Sequence, residues 1–206
     1  MDLRKDTCGL KSGYMPEWWS ALKEEQSVEA QAVKFMTLTG RRAEEVIEMK
    51  PTDLDLKKGI WRIEVSPHWD LQEVPLSGAA RELAGVLVQS AHSATSIFPD
   101  DGCGGRTIFD AMAAITYRNP CAVELRHENR MGEIADYPIR CAFHRWAEKQ
   151  GFVEHDVNMA LDIRNSMDDE VDPSAHALIV EAWAKYLEDP WWMPKEFVYP
   201  ETSMPF

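Results

Sequence analysis

Leu38-Thr39-Gly40-Arg41-Arg42-Ala43-Glu44-Glu45-Val46-Ile47-Glu48-Met49-Lys50-Pro51-Thr52-Asp53-Leu54-Asp55 decides the reading of this chain, because one helix stops and another starts inside it. Gly40 closes the helix that precedes it. Arg42 through Met49 carries the next helix, and Pro51, which has no amide hydrogen to donate, ends it. Upstream, Ser27 is placed to cap the helix that bears Val28, Ala32, Val33, Phe35, Met36 and Leu38. Before that, Met15-Pro16-Glu17-Trp18-Trp19 opens a short amphipathic helix. Downstream, Ile60 to Val65 alternates as a strand after the Lys58-Gly59 turn, and Gln72 to Leu76 is its hairpin partner.

Ser77 then caps a helix whose apolar side is Ala80, Leu83, Ala84 and Leu87, and Ile97-Phe98-Pro99-Asp100 leads into the glycine-rich turn at Gly102 to Gly105. Further helices are expected over Thr107 to Tyr117, Ile139 to Gln150, Asp156 to Leu161 and Ser174 to Leu187, while Asn119 to Asp136 is charged and fits neither period. The expected class is α+β, mainly α, with several helices around one small antiparallel sheet. Residues 1–188 are read as a single domain and 189–206 as an aromatic, proline-rich C-terminal tail.

The 206 residues are 45% apolar and 28% charged, the balance of a globular protein that can bury its own core. Lys+Arg 22 against Asp+Glu 35 gives a net charge of −13, which works against unaided binding to a phosphate backbone. The four cysteines, Cys8, Cys103, Cys121 and Cys141, have neither disulfide-scaffold nor zinc-knuckle spacing. The six histidines, His68, His92, His127, His144, His155 and His176, form no metal-ligand motif, so neither metal nor cofactor is expected. No apolar stretch approaches the ~18 residues of a membrane span, and none follows Met1-Asp2-Leu3-Arg4-Lys5, so a cytoplasmic protein is expected.

The opening stretch resembles the start of the catalytic domain of tyrosine recombinases, the phage integrase family, with its T-G-x-R-x-x-E-V-x-x-[L/M] helix and x-D-[I/L]-D turn. The likeness continues through Gly59 to Ile63, Val74-Pro75-Leu76-Ser77 and Ile97-Phe98-Pro99. Tyr137-Pro138-Ile139-Arg140 lies where the family has H-x-x-R, and Glu181-Ala182-Trp183-Ala184-Lys185-Tyr186-Leu187 is similar to the closing helix of prophage-type integrases. The resemblance spans about residues 15 to 188 and implies that family's fold. It matches Arg42 and Arg140 to the two active-site arginines, Glu45 to the glutamate that supports the first, and Tyr137 to the first histidine position.

The departures from that pattern fall on its chemistry. The resemblance implies a chemistry in which a tyrosine attacks a DNA phosphate with the help of two arginines, a lysine and two histidine-type groups. The hairpin segment Ser66 to Glu73 contains no lysine, Tyr137 replaces a histidine, and the L-[G/A]-H turn falls on Leu161-Asp162-Ile163. No tyrosine occurs between Tyr137 and Tyr186, and the nucleophile position falls near Met167 or Ala175. From Glu148 onward there are thirteen acidic and four basic residues, a net of −9 in the segment that would meet DNA. A separate N-terminal DNA-clamping domain is not expected either.

A catalytically inactive, integrase-like protein of a phage or mobile element is therefore expected, acting by protein binding. Its partner would carry a basic, nucleic-acid-binding surface, such as a host defence complex of the kind that anti-CRISPR proteins inhibit, with little or no direct duplex binding. The alternative is a regulatory pseudo-subunit that pairs or competes with an active recombinase through the C-terminal helix and tail, and self-association through that tail is a separate expectation. Arg42 and Arg140 are either a remnant anion site or salt-bridge partners for residues such as Glu45. Asp168, Asp169, Glu170 and Asp172 are either a solvated loop or a surface that imitates phosphate spacing, and Trp191 and Trp192 are candidate anchors beside them.

Overall fold

A computed structural model describes residues 12–64, 71–99, 106–117, 137–163, 172–189 and 191. The chain is mainly helical with one small antiparallel sheet, as the periodicity predicts. In order come α1 (Met15–Lys23), α2 (Val28–Thr39), α3 (Ala43–Ile47), β1 (Leu54–Asp55), β2 (Ile60–Glu64), β3 (Leu71–Pro75), α4 (Gly78–Gln89), α5 (Arg106–Tyr117), α6 (Tyr137–Lys149), α7 (Glu154–Ala160) and α8 (Pro173–Glu188). Among the described residues, no helix is long and apolar enough to cross a membrane.

The central element is α2, which packs against α1, α3, α4, α5 and α8. A helix covered on all sides must be apolar nearly all round, and Ala30, Ala32, Val33, Phe35, Met36 and Leu38 are all buried. Its buried polar groups are satisfied locally. Thr37 and Thr39 donate their hydroxyls to the carbonyls of Val33 and Phe35 at 2.7 and 2.8 Å. Lys34 donates to the carbonyls of Lys23 and Glu25 at 3.1 and 2.6 Å, tying the end of α1 to α2. Ser27 caps α2 by accepting from the Ala30 amide at 3.1 Å.

The sheet has the order β1-β2-β3, with Trp61 opposite Val74 and Ile63 opposite Gln72. Those four residues form its buried face, and Trp61 meets Phe35 of α2 edge-on at 5.3 Å. Two details depart from the sequence reading. Strand β1 occupies what reads as a plain turn, and two residues are too few to show alternation. The third helix stops at Ile47 rather than Met49, and the Met49 carbonyl beyond it accepts from the Ile97 amide at 3.2 Å.

Helix α8 closes the molecule. Trp183 donates its indole N–H to the Thr37 carbonyl at 2.8 Å and stacks on Phe143 of α6 at 4.8 Å, nearly parallel. Trp146, Phe152 and Tyr186 extend this aromatic cluster, and the Tyr186 hydroxyl donates to the Ser12 carbonyl at 2.8 Å.

The corner between α2 and α3 depends on Gly40, which caps α2 at φ +66°. A Cβ there would lie 2.8 Å from both Leu161 and the ring of the stacked Phe143. Gly151, at φ +82°, has open space around the same position. Gly151→Ala should therefore lose only the left-handed strain, about 1–2 kcal/mol. Gly40→Ala should lose a further ~1–3 kcal/mol from overpacking. Urea unfolding of both variants measures the difference, and equal losses would show that the contact at Gly40 yields without cost.

Candidate functional site

Because Gly40 lets the α2–α3 corner sit directly on Leu161 and Phe143, the arginines that follow it are delivered to the turn after α7. Arg41 points inward and is fully buried. It donates from Nε to Glu45 Oε2 at 3.1 Å and from Nη2 to Glu45 Oε1 at 2.8 Å. Nη2 also donates to Gln72 Oε1 of β3 at 3.1 Å, while Nη1 has no hydrogen-bond partner. Gln72 is thus the polar member of an otherwise apolar sheet face, and Arg41 is what it faces.

Arg42 takes the opposite course. It precedes α3 as its N-cap, and its amide donates to Glu45 Oε2 at 2.8 Å, so Glu45 serves both the start of α3 and the Arg41 fork. The Arg42 side chain is half-exposed and reaches the turn after α7. Its Nη2 is 3.5 Å from the Asp162 carbonyl and 3.7 Å from Asp162 Oδ2. Arg140, buried on α6, donates to the carbonyl of Leu161. The two arginines singled out in the sequence are therefore brought to adjacent peptide groups of one turn. Glu45 also joins them, although its side chain grips the guanidinium of Arg41 and only the amide of Arg42. Tyr137 is the first residue of α6, one turn before Arg140.

His176 of α8 completes the buried polar cluster. It is 1% exposed, and neither ring nitrogen has a hydrogen-bond partner. Burial, with the Arg41 charge adding to it, pushes its pKa down from 6.5 to about 3. A ring so weakly basic and so enclosed is poorly suited to proton transfer near neutrality. Chemically, the cluster offers cations already engaged by carboxylates, carbonyls and an amide oxygen. Among the described residues, no group of three or more His, Cys, Asp or Glu could hold a metal ion.

Of the candidate partner-binding residues, the two that are described, Asp172 and Trp191, stand at opposite ends of α8. Asp172 caps α8, accepting from the Ser174 amide and hydroxyl at 2.8 and 2.6 Å and from the Ala175 amide at 3.4 Å. These bonds, the Ser174 hydroxyl first, hold its carboxyl below the usual carboxylate range. Trp191 lies just past the other end of α8 and is 89% exposed. The sixteen residues of α8 separate the two by about 24 Å. Asp168, Asp169, Glu170 and Trp192 lie outside the described residues.

Sequence reasoning passed over Arg41, Gln72, Asp162 and His176 as site residues. The spacing of His176 with Ile179, Val180, Trp183 and Leu187 places it on the buried stripe of α8, a signal present in the sequence. Asp162 had a weaker one, since Asp is among the few residue types that tolerate a left-handed turn. No protein-family model matches the chain, and neither a curated protein nor a solved structure matches it significantly.

The unfolded chain binds a proton at His176 below pH 6.5, whereas the folded chain refuses it until about pH 3. Stability is thus full above pH 6.5 and falls as the pH drops through that window. Relative to His176→Leu, the parent should lose about 1.4 kcal/mol per pH unit within it. Denaturant unfolding across that range measures the slope, and parallel profiles for the two proteins would contradict it.

Proposed function

We propose that this protein is a catalytically inactive, tyrosine-recombinase-like domain of a phage or mobile element that acts by binding another protein. The turn at Leu161-Asp162 carries the reading. Where the resembled family has the histidine of its L-[G/A]-H turn this chain has the aliphatic Ile163, and the carboxylate of Asp162, one residue earlier, faces Arg42, where a carboxylate next to a scissile phosphate opposes the reaction. The Gln72 amide, in the hairpin where a lysine would be needed, cannot supply a cation either. With a net charge of −13, the partner that fits best is a basic, nucleic-acid-binding surface, such as that of a host defence complex.

No denaturation-resistant protein–DNA adduct is expected on a suicide duplex, and duplex binding should be negligible at physiological salt. A covalent adduct, or sub-micromolar salt-sensitive affinity for random duplex, would overturn the reading. Affinity capture from host cells should yield a nucleic-acid-binding protein that added duplex DNA displaces. Capture of a recombinase would instead favour a regulatory pseudo-subunit, a reading that the exposed Trp191 at the end of α8 supports.

Once the partner is in hand, Asp168→Lys, Asp169→Lys and Glu170→Lys together should slow association, because charge steers encounter. Asp172 is left intact in that variant, since reversing it would uncap α8. Trp191→Ala and Trp192→Ala should speed dissociation while leaving the circular dichroism spectrum unchanged. Unchanged rate constants in both variants, measured by surface plasmon resonance, would place the interface elsewhere.

A further inference from the structure

Among the described residues, Asp162 is the one non-glycine with a positive φ, 53°. The left-handed turn aims its carboxylate back at the α2–α3 corner. There Oδ2 lies 3.7 Å from Arg42 Nη2 and 3.9 Å from Arg41 Nη2, with the side chain only 11% exposed. These are ion-pair distances, longer than hydrogen bonds. The other carboxylate, Glu45, is fixed by both the Arg41 fork and the Arg42 amide. Asp162 is therefore the anion that faces both Arg41 and Arg42 across the gap between the turn and the corner. Arg41 keeps one buried nitrogen without a hydrogen-bond partner, and Arg42 is open to solvent on its other side.

We propose that Asp162 is a built-in counter-anion that shuts this arginine cluster against external oxyanions, an autoinhibitory contact made by the chain on itself. The carboxylate occupies the point where an oxyanion oxygen would meet the guanidinium groups of Arg41 and Arg42. It carries the same sign of charge, so an incoming phosphate or sulfate meets repulsion and a filled position. The backbone carbonyls of Leu161 and Asp162, which accept from Arg140 and Arg42, hold the turn in place while the carboxylate does so. The latch belongs to the turn and the helix corner, and it is independent of which partner the protein binds.

Asp162→Asn keeps the shape and the tolerance for left-handed backbone but removes the charge, and Asp162→Gly keeps the backbone while vacating the position. Thermal unfolding is followed against inorganic phosphate at constant ionic strength. The parent should show no saturable rise in Tm, while both variants gain one, half-saturating at roughly tenfold lower phosphate than any response of the parent. Adding Arg42→Gln to Asp162→Asn should abolish the gain. Saturable stabilisation of the parent itself, which requires no variant to fold, would overturn the proposal. So would folded variants that respond no better than the parent, or a gain that survives Arg42→Gln.

Discussion

The contact between the bare Cα of Gly40 and the side chains of Phe143 and Leu161 is the constraint on which the described site rests. It sets the distance at which the end of α2 approaches α6 and α7. Everything polar nearby follows from that approach. Arg41 has no route to solvent and must find its partners inside, while Arg42, one residue on, emerges at the rim and touches the next turn. A side chain at position 40 would separate the surfaces, and the Leu161–Asp162 carbonyls would move away from the arginines that now bond to them.

Burying Arg41 completely is an expensive arrangement, and the way it is met explains the neighbours. A guanidinium in the interior requires an anion and further acceptors, and truncating one partner of such a pair costs about 3–5 kcal/mol because the other charge stays behind. Glu45 supplies the anion from one helical turn away and Gln72 supplies an amide oxygen from the sheet. Those two bonds link α3 to β3 across the Arg41 side chain, so the polar centre has a structural task whatever else it does. His176 is held neutral by the same burial and the same positive charge.

Most of the architecture was legible in the sequence, and the reasons are local. Ser27 and Gly40 bracket α2 as a capping serine and a left-handed glycine should, and alternation placed Trp61, Ile63 and Val74 on one sheet face. What was not legible depends on tertiary contact. Whether Arg41 or Arg42 turns inward cannot be decided from two adjacent arginines, because the choice is made by Glu45 and Gln72, the latter 31 residues away. The role of Asp162 was hidden for the same reason, since its carboxylate has meaning only once α7 is docked. Asp172 reads in the sequence as one more acid in a charged run and acts in the structure as a helix cap.

The position of α8 has a consequence for how the molecule is made. Trp183 reaches Thr37 across 146 residues, Tyr186 reaches Ser12 across 174, and Glu188 accepts from Trp19 across 169. Contacts of such sequence separation reward the chain only after a long loop has been closed, which slows folding relative to helical proteins built from neighbours. During synthesis, α1 and α2 emerge early with Trp19 and the Thr37 carbonyl uncovered, and they stay so until residues 173–188 leave the ribosome. The nascent chain thus carries exposed aromatic surface for most of its translation, the condition under which chaperone capture and misassociation compete with folding.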